Sequence, residues 1–85
     1  MKTKPENLKN ELRKMVAEVL NVPANELTDE MSFTQEMNVD SLDILKLICR
    51  IEHEYNIEID QDEIDLLDKL GTAYRYVRSL IDSKT

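Results

Sequence analysis

Helical spacing of apolar residues is the feature that most constrains what this 85-residue chain can fold into. Along residues 4–20 and again along residues 41–55, apolar side chains recur every three or four positions, which places them on one face of an α-helix. Shorter stretches with the same spacing follow at residues 61–68 and 73–83. The spacing therefore predicts an all-α chain with three longer helices and one short helix.

The residues between the first two periodic segments predict a long loop. Residues 21–40 are rich in turn-forming side chains and show no sustained helical period, apart from a helical turn expected near residues 24–27. The loop also carries scattered apolar residues that would hold it against the helices: Val22, Leu27, Met31, Phe33, Met37 and Val39. Near the other end of the chain, Gly71 is expected to break the helical pattern and Thr72 to cap the last helix. We expect one domain over residues 1–85, a small antiparallel four-helix bundle with a long loop between helices one and two.

The second periodic segment, residues 41–55, has two distinct faces. Asp40 is well placed to cap its first turn, and Asp43 would favour the positive end of the helix dipole. The face expected to point inward comprises Ile44, Leu45, Ile48, Ile51 and Tyr55. The opposite face comprises Asp43, Lys46, Arg50 and His53.

Charge and composition exclude several classes of protein. The formal net charge is −7, and residues 26–65 alone carry 13 acidic side chains against Lys46 and Arg50, a net charge of −11. Such a chain repels phosphate backbones, so we expect no nucleic-acid partner. No apolar run approaches the length of a membrane span, the N-terminal residues do not form a secretory signal, and one cysteine cannot make an internal disulfide. The expected location is the cytoplasm, without membrane insertion.

Residues capable of catalysis are too few and too far apart for an enzyme. His53, the single histidine, lies 12 residues after Ser41 on the same predicted helix, a separation of roughly 18 Å along the axis. Cys49 is expected to be a small buried apolar residue. The acidic run from Asp60 to Asp65 does not match a calcium loop, because the sixth position lacks glycine. We therefore expect neither intrinsic catalysis nor a metal site.

The junction of the long loop with the second helix carries a recognisable motif, Asp40-Ser41-Leu42-Asp43. With this motif, the chain resembles the acyl carrier protein family over nearly its whole length. Matching features include the apolar first helix, Phe33 in the long loop, the Glu-Tyr-Asn-Ile-Glu-Ile run at residues 54–59, the short acidic helix and the last helix. The family commonly has glycine shortly before the motif, where this chain has Asn38 and Val39; asparagine tolerates the left-handed backbone that such a turn needs.

The resemblance implies a covalent cofactor on Ser41. In this family the serine receives 4′-phosphopantetheine from coenzyme A, through a separate Mg²⁺-dependent phosphopantetheinyl transferase, and the terminal thiol carries acyl groups as thioesters. The resemblance also implies acyl-transferring and chain-elongating enzymes as partners, which Asp40, Leu42 and Asp43 would meet, and we expect the carrier to be a monomer. Apolar residues on the predicted inner faces would line an acyl site: Phe33, Leu45, Ile48, Ile59, Ile64 and Leu67.

Two basic residues depart from the fatty-acid carriers, which typically expose an acidic second helix. Lys46 and Arg50 lie on the exposed face here, with Asp43 and Glu54 at spacings that allow ion pairs along the helix. One interpretation is simple pairing on the helix surface, and the other is a carrier with different partners. The pathway therefore stays open between fatty acid and specialised lipid or polyketide synthesis. Two further alternatives are a D-alanyl, aminoacyl or peptidyl carrier and an unmodified acidic helical adaptor.

Overall fold

The computed structural model describes residues 5–84, which form helices and connecting turns without any β-strand. Lys4, the expected first residue of helix one, lies outside this range. The α-helices are α1 (Pro5–Leu20), the single-turn α2 (Phe33–Glu36), α3 (Ser41–Tyr55) and α4 (Leu70–Lys84). Two 3₁₀ helices span Ala24–Glu26 and Gln61–Asp68. The predicted all-α bundle is confirmed, and no helix within residues 5–84 is long and apolar enough to cross a membrane.

One apolar core joins the three long helices. Its members from α1, α3 and α4 follow the helical period and are listed here: Leu8, Leu12, Met15, Val16, Leu20, Ile44, Leu47, Ile48, Ile51, Leu70, Ala73 and Val77. The prediction that Leu45 lies on the inward face of α3 is wrong. Leu45 is 48% exposed, whereas Leu47 is fully buried. Burial follows positions 44, 47, 48 and 51, and Leu45 lies at the edge of that stripe.

The long loop is fixed to the bundle, as its scattered apolar residues predict. Leu27, Phe33 and Val39 are buried in the same core. Polar contacts add to this anchoring, because Arg13 donates to the carbonyl oxygen of Leu27 and Lys9 forms an ion pair with Asp29. The loop is therefore held against the helices by both apolar and polar contacts.

The start of the last helix differs from the prediction. α4 begins at Leu70, so Gly71 and Thr72 lie in its first turn and not before it. The N–H of Gly71 donates to the carbonyl oxygen of Asp29 at 3.0 Å, and a β-carbon at Gly71 would lie 3.0 Å from that same oxygen. Glycine is thus needed for close approach to the loop, not to end a helix. Thr72 donates its hydroxyl to the carbonyl oxygen of Leu66 at 2.6 Å and does not act as the predicted N-cap.

Candidate functional site

The first turn of α3 is held by a reciprocal pair of aspartates. The side chain of Asp40 accepts from the N–H of Asp43 at 3.1 Å, and the side chain of Asp43 accepts from the N–H of Asp40 at 3.4 Å. Together these bonds form a capping box, which satisfies N–H groups that have no acceptor inside the helix. The sequence predicted the cap by Asp40, while the return bond from Asp43 comes from the structure.

The backbone leading into α3 makes a sharp left-handed turn. Asn38 has φ 56°, a conformation that asparagine tolerates better than most residues. The next residue, Val39, is buried and donates its N–H to the carbonyl oxygen of Phe33 at 3.3 Å. This turn ends at the capping box, so the position of Ser41 is fixed from both sides.

Ser41 is the first residue of α3 and is exposed. His53 is exposed on the same helix, 12 residues further on. Among residues 5–84, no group of three or more His, Cys, Asp or Glu side chains is arranged to hold a metal ion. A hydroxyl at the positive end of a helix, open to approach and flanked by carboxylates that are engaged on backbone N–H groups, suits modification by a second protein that brings its own catalytic groups.

A cleft of about 660 Å³ lies beside Ser41, between α2, α3 and the second 3₁₀ helix. Its lining residues are Thr34, Gln35, Ser41, Ile44, Leu45, Ile64, Asp65 and Asp68. Of the six residues predicted to line an acyl site, Leu45 and Ile64 border this cleft. The other four lie in the packed core: Phe33, Ile48, Ile59 and Leu67.

Asp68 joins two sides of this cleft. Its carboxylate accepts from the hydroxyl of Ser32 and from the N–H of Thr34, the latter at 2.9 Å. Ser32 is 4% exposed and caps α2 by accepting from the N–H of Gln35 at 3.3 Å. This group was not predicted from the sequence, although Ser32 followed three residues later by Gln35 fits the capping pattern of a helix start.

Two exposed leucines and one exposed lysine mark the outer surface of α3. Leu42 is 65% exposed and Leu45 is 48% exposed. Among the residues that the structure describes, these are the large apolar side chains most open to solvent. Lys46 is exposed, and no ion pair joins it to Asp43 in the part of the chain that the structure describes. This surface therefore combines apolar contact area with a positive charge.

Arg50 is paired, unlike Lys46, and Cys49 differs from its prediction. The guanidinium of Arg50 pairs with Glu18 of α1 at 3.3 Å and with Glu54 at 3.7 Å. The predicted pair with Glu54 is thus present, and the pair with Glu18 ties α3 to α1. The prediction that Cys49 is buried is wrong, because its side chain is exposed. It lies one turn beyond Leu45, on the same outer side of the helix.

The chain is similar to one group of known proteins over most of its length. The family model described as phosphopantetheine attachment site matches residues 10–77. A curated acyl carrier protein from Helicobacter pylori is 33% identical over 67 residues, which cover 79% of this chain and 86% of the relative. One from Nitratidesulfovibrio vulgaris is 33% identical over 73 residues, covering 86% and 96%. The solved acyl carrier protein of Enterococcus faecalis is 20% identical and has a similar fold, with a TM-score of 0.78 over 92% of this chain and 99% of that one.

Proposed function

The chain belongs to the acyl carrier protein family, and from that membership we propose that Ser41 is the residue to which its phosphopantetheine is attached. Its relatives are named acyl carrier proteins, so the protein is a carrier and not an enzyme. When bound, the cofactor supplies a thiol that holds the cargo as a thioester. The observation that supports Ser41 is its exposed position at the capped start of α3.

The surroundings of Ser41 fit a phosphodiester. Backbone N–H groups in the first turn of a helix have no acceptor within that helix, and the helix dipole favours negative charge there. The Asp40–Asp43 capping box keeps this turn formed before modification. Asp40 and Asp43 use their carboxylates on backbone groups, which leaves the hydroxyl of Ser41 available to a transferase.

Intact-protein mass spectrometry tests the attachment site. The unmodified protein, incubated with coenzyme A, Mg²⁺ and a broad-specificity phosphopantetheinyl transferase, should gain one phosphopantetheine. Ser41→Ala should gain none while keeping its helical circular dichroism. Ser79→Ala, which changes an exposed serine of α4, is the matched control and should be modified normally. Modification of Ser41→Ala would reject the site, and an unmodified parent protein would favour the acidic adaptor.

We further propose that the outer surface of α3 selects the enzymes that transfer acyl groups and extend chains. Leu42 and Leu45 supply the apolar contact, and Asp40 and Asp43 place the helix start. The charge that partners meet should come mainly from Lys46, because Arg50 is already shared between Glu18 and Glu54. We propose the cytoplasm as the location, since coenzyme A and the charging enzymes are found there.

Single charge reversals test this partner selection. With fatty-acid enzymes that dock on acidic helices, Lys46→Glu should raise kcat/KM several-fold, on the order of the gains seen when like-charge contacts are removed. Arg50→Glu should give a smaller gain and a less stable protein, because it breaks two ion pairs. Lys14→Glu on α1 makes the same change in net charge and is the control. Equal effects of Lys14→Glu and Lys46→Glu would show a general charge effect and reject the proposal.

The cargo of this carrier is proposed to be an acyl chain from fatty acid or specialised lipid or polyketide synthesis. One observation favours aminoacyl carriage as the second candidate: half of the residues lining the cleft are polar or acidic side chains other than Ser41. The two are separated by thermal melting of holo, acetyl, hexanoyl and octanoyl forms at fixed salt. Each CH₂ that leaves water contributes about 0.8 kcal/mol, so a sheltered chain raises the melting temperature with length. A flat series would favour the aminoacyl carrier.

A further inference from the structure

We propose that Asp68 is a positioning residue that limits how far the cleft beside Ser41 opens, and thereby the length of acyl chain that it shelters. The inference rests on the proposed function. It starts from the two hydrogen bonds that the Asp68 carboxylate accepts, from the Ser32 hydroxyl and from the Thr34 N–H. These bonds join the second 3₁₀ helix, which ends at Asp68, to α2. Two of the three sides of the cleft are thus linked by one side chain.

The Asp68 bonds satisfy polar groups at the start of α2. Thr34 lies in the first turn of this four-residue helix, where backbone N–H groups have no acceptor inside the helix. Asp68 supplies that acceptor, and its charge makes both bonds stronger than bonds between neutral groups. Phe33 lies between the two donors and is fully buried. Asp68 therefore holds α2 and the Phe33 side chain in their closed positions.

The third side of the cleft, α3, is attached differently. Among the residues that the structure describes, three polar contacts join the second half of α3 to other elements: Arg50 pairs with Glu18, Tyr55 donates to Glu11 and Glu52 accepts from the N–H of Ile59. The first half faces the cleft through Ser41, Ile44 and Leu45. Opening is consequently expected between the first half of α3 and the linked pair formed by α2 and the second 3₁₀ helix.

Cargo length follows from what lies behind the cleft. Its apolar surface comes from Ile44, Leu45 and Ile64, while Phe33 and Leu67, the chain neighbours of the lining residues Thr34 and Asp68, are fully buried in the core. A chain longer than the cleft must displace these core residues. Phe33 lies between the two residues that donate to Asp68, so we expect its displacement to strain or break these bonds. The bonds thus set the point at which extra CH₂ groups stop being sheltered.

Asp68→Ala and Asp65→Ala form a matched pair for the test. Both remove one carboxylate from the lining of the same cleft, but only Asp68 bonds to α2. Melting temperatures would be measured for the holo protein and for acyl forms from acetyl to dodecanoyl. In the unchanged protein and in Asp65→Ala, the gain in melting temperature should stop rising at the same length. In Asp68→Ala the rise should continue for about two or more further CH₂ groups.

Amide hydrogen exchange of the unmodified protein tests the link without any cargo. In Asp68→Ala the Thr34 N–H should exchange about tenfold faster or more, whereas Asp65→Ala should leave it unchanged. Ser32→Ala, which removes one of the two Asp68 bonds together with the cap of α2, is the second variant if Asp68→Ala fails to fold. Identical length series in Asp68→Ala (or in Ser32→Ala, if Asp68→Ala is unfolded) and Asp65→Ala would overturn the inference. Series that are flat in every variant would also overturn it, while the modification of Ser41 would still stand.

Discussion

Tyr55 shows how one hydroxyl can join two helices at a position that the sequence pattern treats as apolar. Its ring packs at the edge of the core, and its hydroxyl donates to the Glu11 carboxylate of α1 at 2.8 Å. Burial raises the pKa of Tyr55 well above its ordinary value, and the hydrogen bond to Glu11 with the charges of Glu11 and Glu54 raises it further. The protonated phenol is therefore a stabilising feature of the folded state.

We predict that Tyr55→Phe lowers the free energy of unfolding at pH 7 by about 0.5–1.5 kcal/mol. Because the folded pKa lies above the unfolded value of about 10, this contribution is complete below pH 10 and is lost as the pH rises toward the folded pKa. The difference between the two proteins should shrink above pH 10. Urea unfolding from pH 7 to 11 measures it, and a constant difference across that range would contradict the prediction.

At the scale of elements, the bounds of α3 follow from its own sequence, and the stability of this helix depends on the cap of its first turn. We predict that Asp40→Ala destabilises the protein by about 1 kcal/mol, the usual cost of losing an N-cap. The same change should slow the modification of Ser41, because the turn that presents the hydroxyl loses its fixed geometry. Urea unfolding and transferase kinetics measure the two effects.

Asp43→Ala and the double variant provide the controls for this cap. The two aspartates act in one capping box, so their combined cost should be smaller than the sum of the separate costs. Asp62→Ala alters an exposed aspartate in the second 3₁₀ helix and should leave the modification rate unchanged. A cap variant that loses stability but keeps its full modification rate would separate the cap from presentation of Ser41.

The sequence predicts those elements whose residues decide their own structure. The bounds of α3 follow from apolar period and from Asp40, and the second 3₁₀ helix lies at the expected residues. The sequence does not predict α2, because a single helical turn shows no apolar period. This turn also depends on Asp68, which lies 34 residues after its bonding partner Thr34. The predicted start of α4 is wrong because Gly71 packs closely against the carbonyl oxygen of Asp29 in the loop and does not end a helix. The motif around Ser41 was evident, but the cleft beside it depends on packing between elements.

At the scale of the whole molecule, charge is distributed very unevenly along the chain. Residues 26–65 have a net charge of −11, and they include α3 and the first five residues of the second 3₁₀ helix. We predict that about 0.2–0.5 M NaCl, an ionic strength at which the Debye length falls below about 8 Å, raises the melting temperature by several degrees. Glu63→Gln should reduce the effect of salt, and a melting temperature that falls with salt would contradict the prediction.

The exposed side chain of Cys49 has a practical consequence for every assay of this carrier. If phosphopantetheine is attached to Ser41, the loaded protein presents two thiols on the same helix, one on the cofactor and one on Cys49. A thiol reagent then reacts with unmodified protein as well, and two copies can join through Cys49 under air without any cargo. Thiol titration of the parent protein therefore counts Cys49 together with the cofactor thiol. In Cys49→Ser, by contrast, each reactive thiol corresponds to one cofactor.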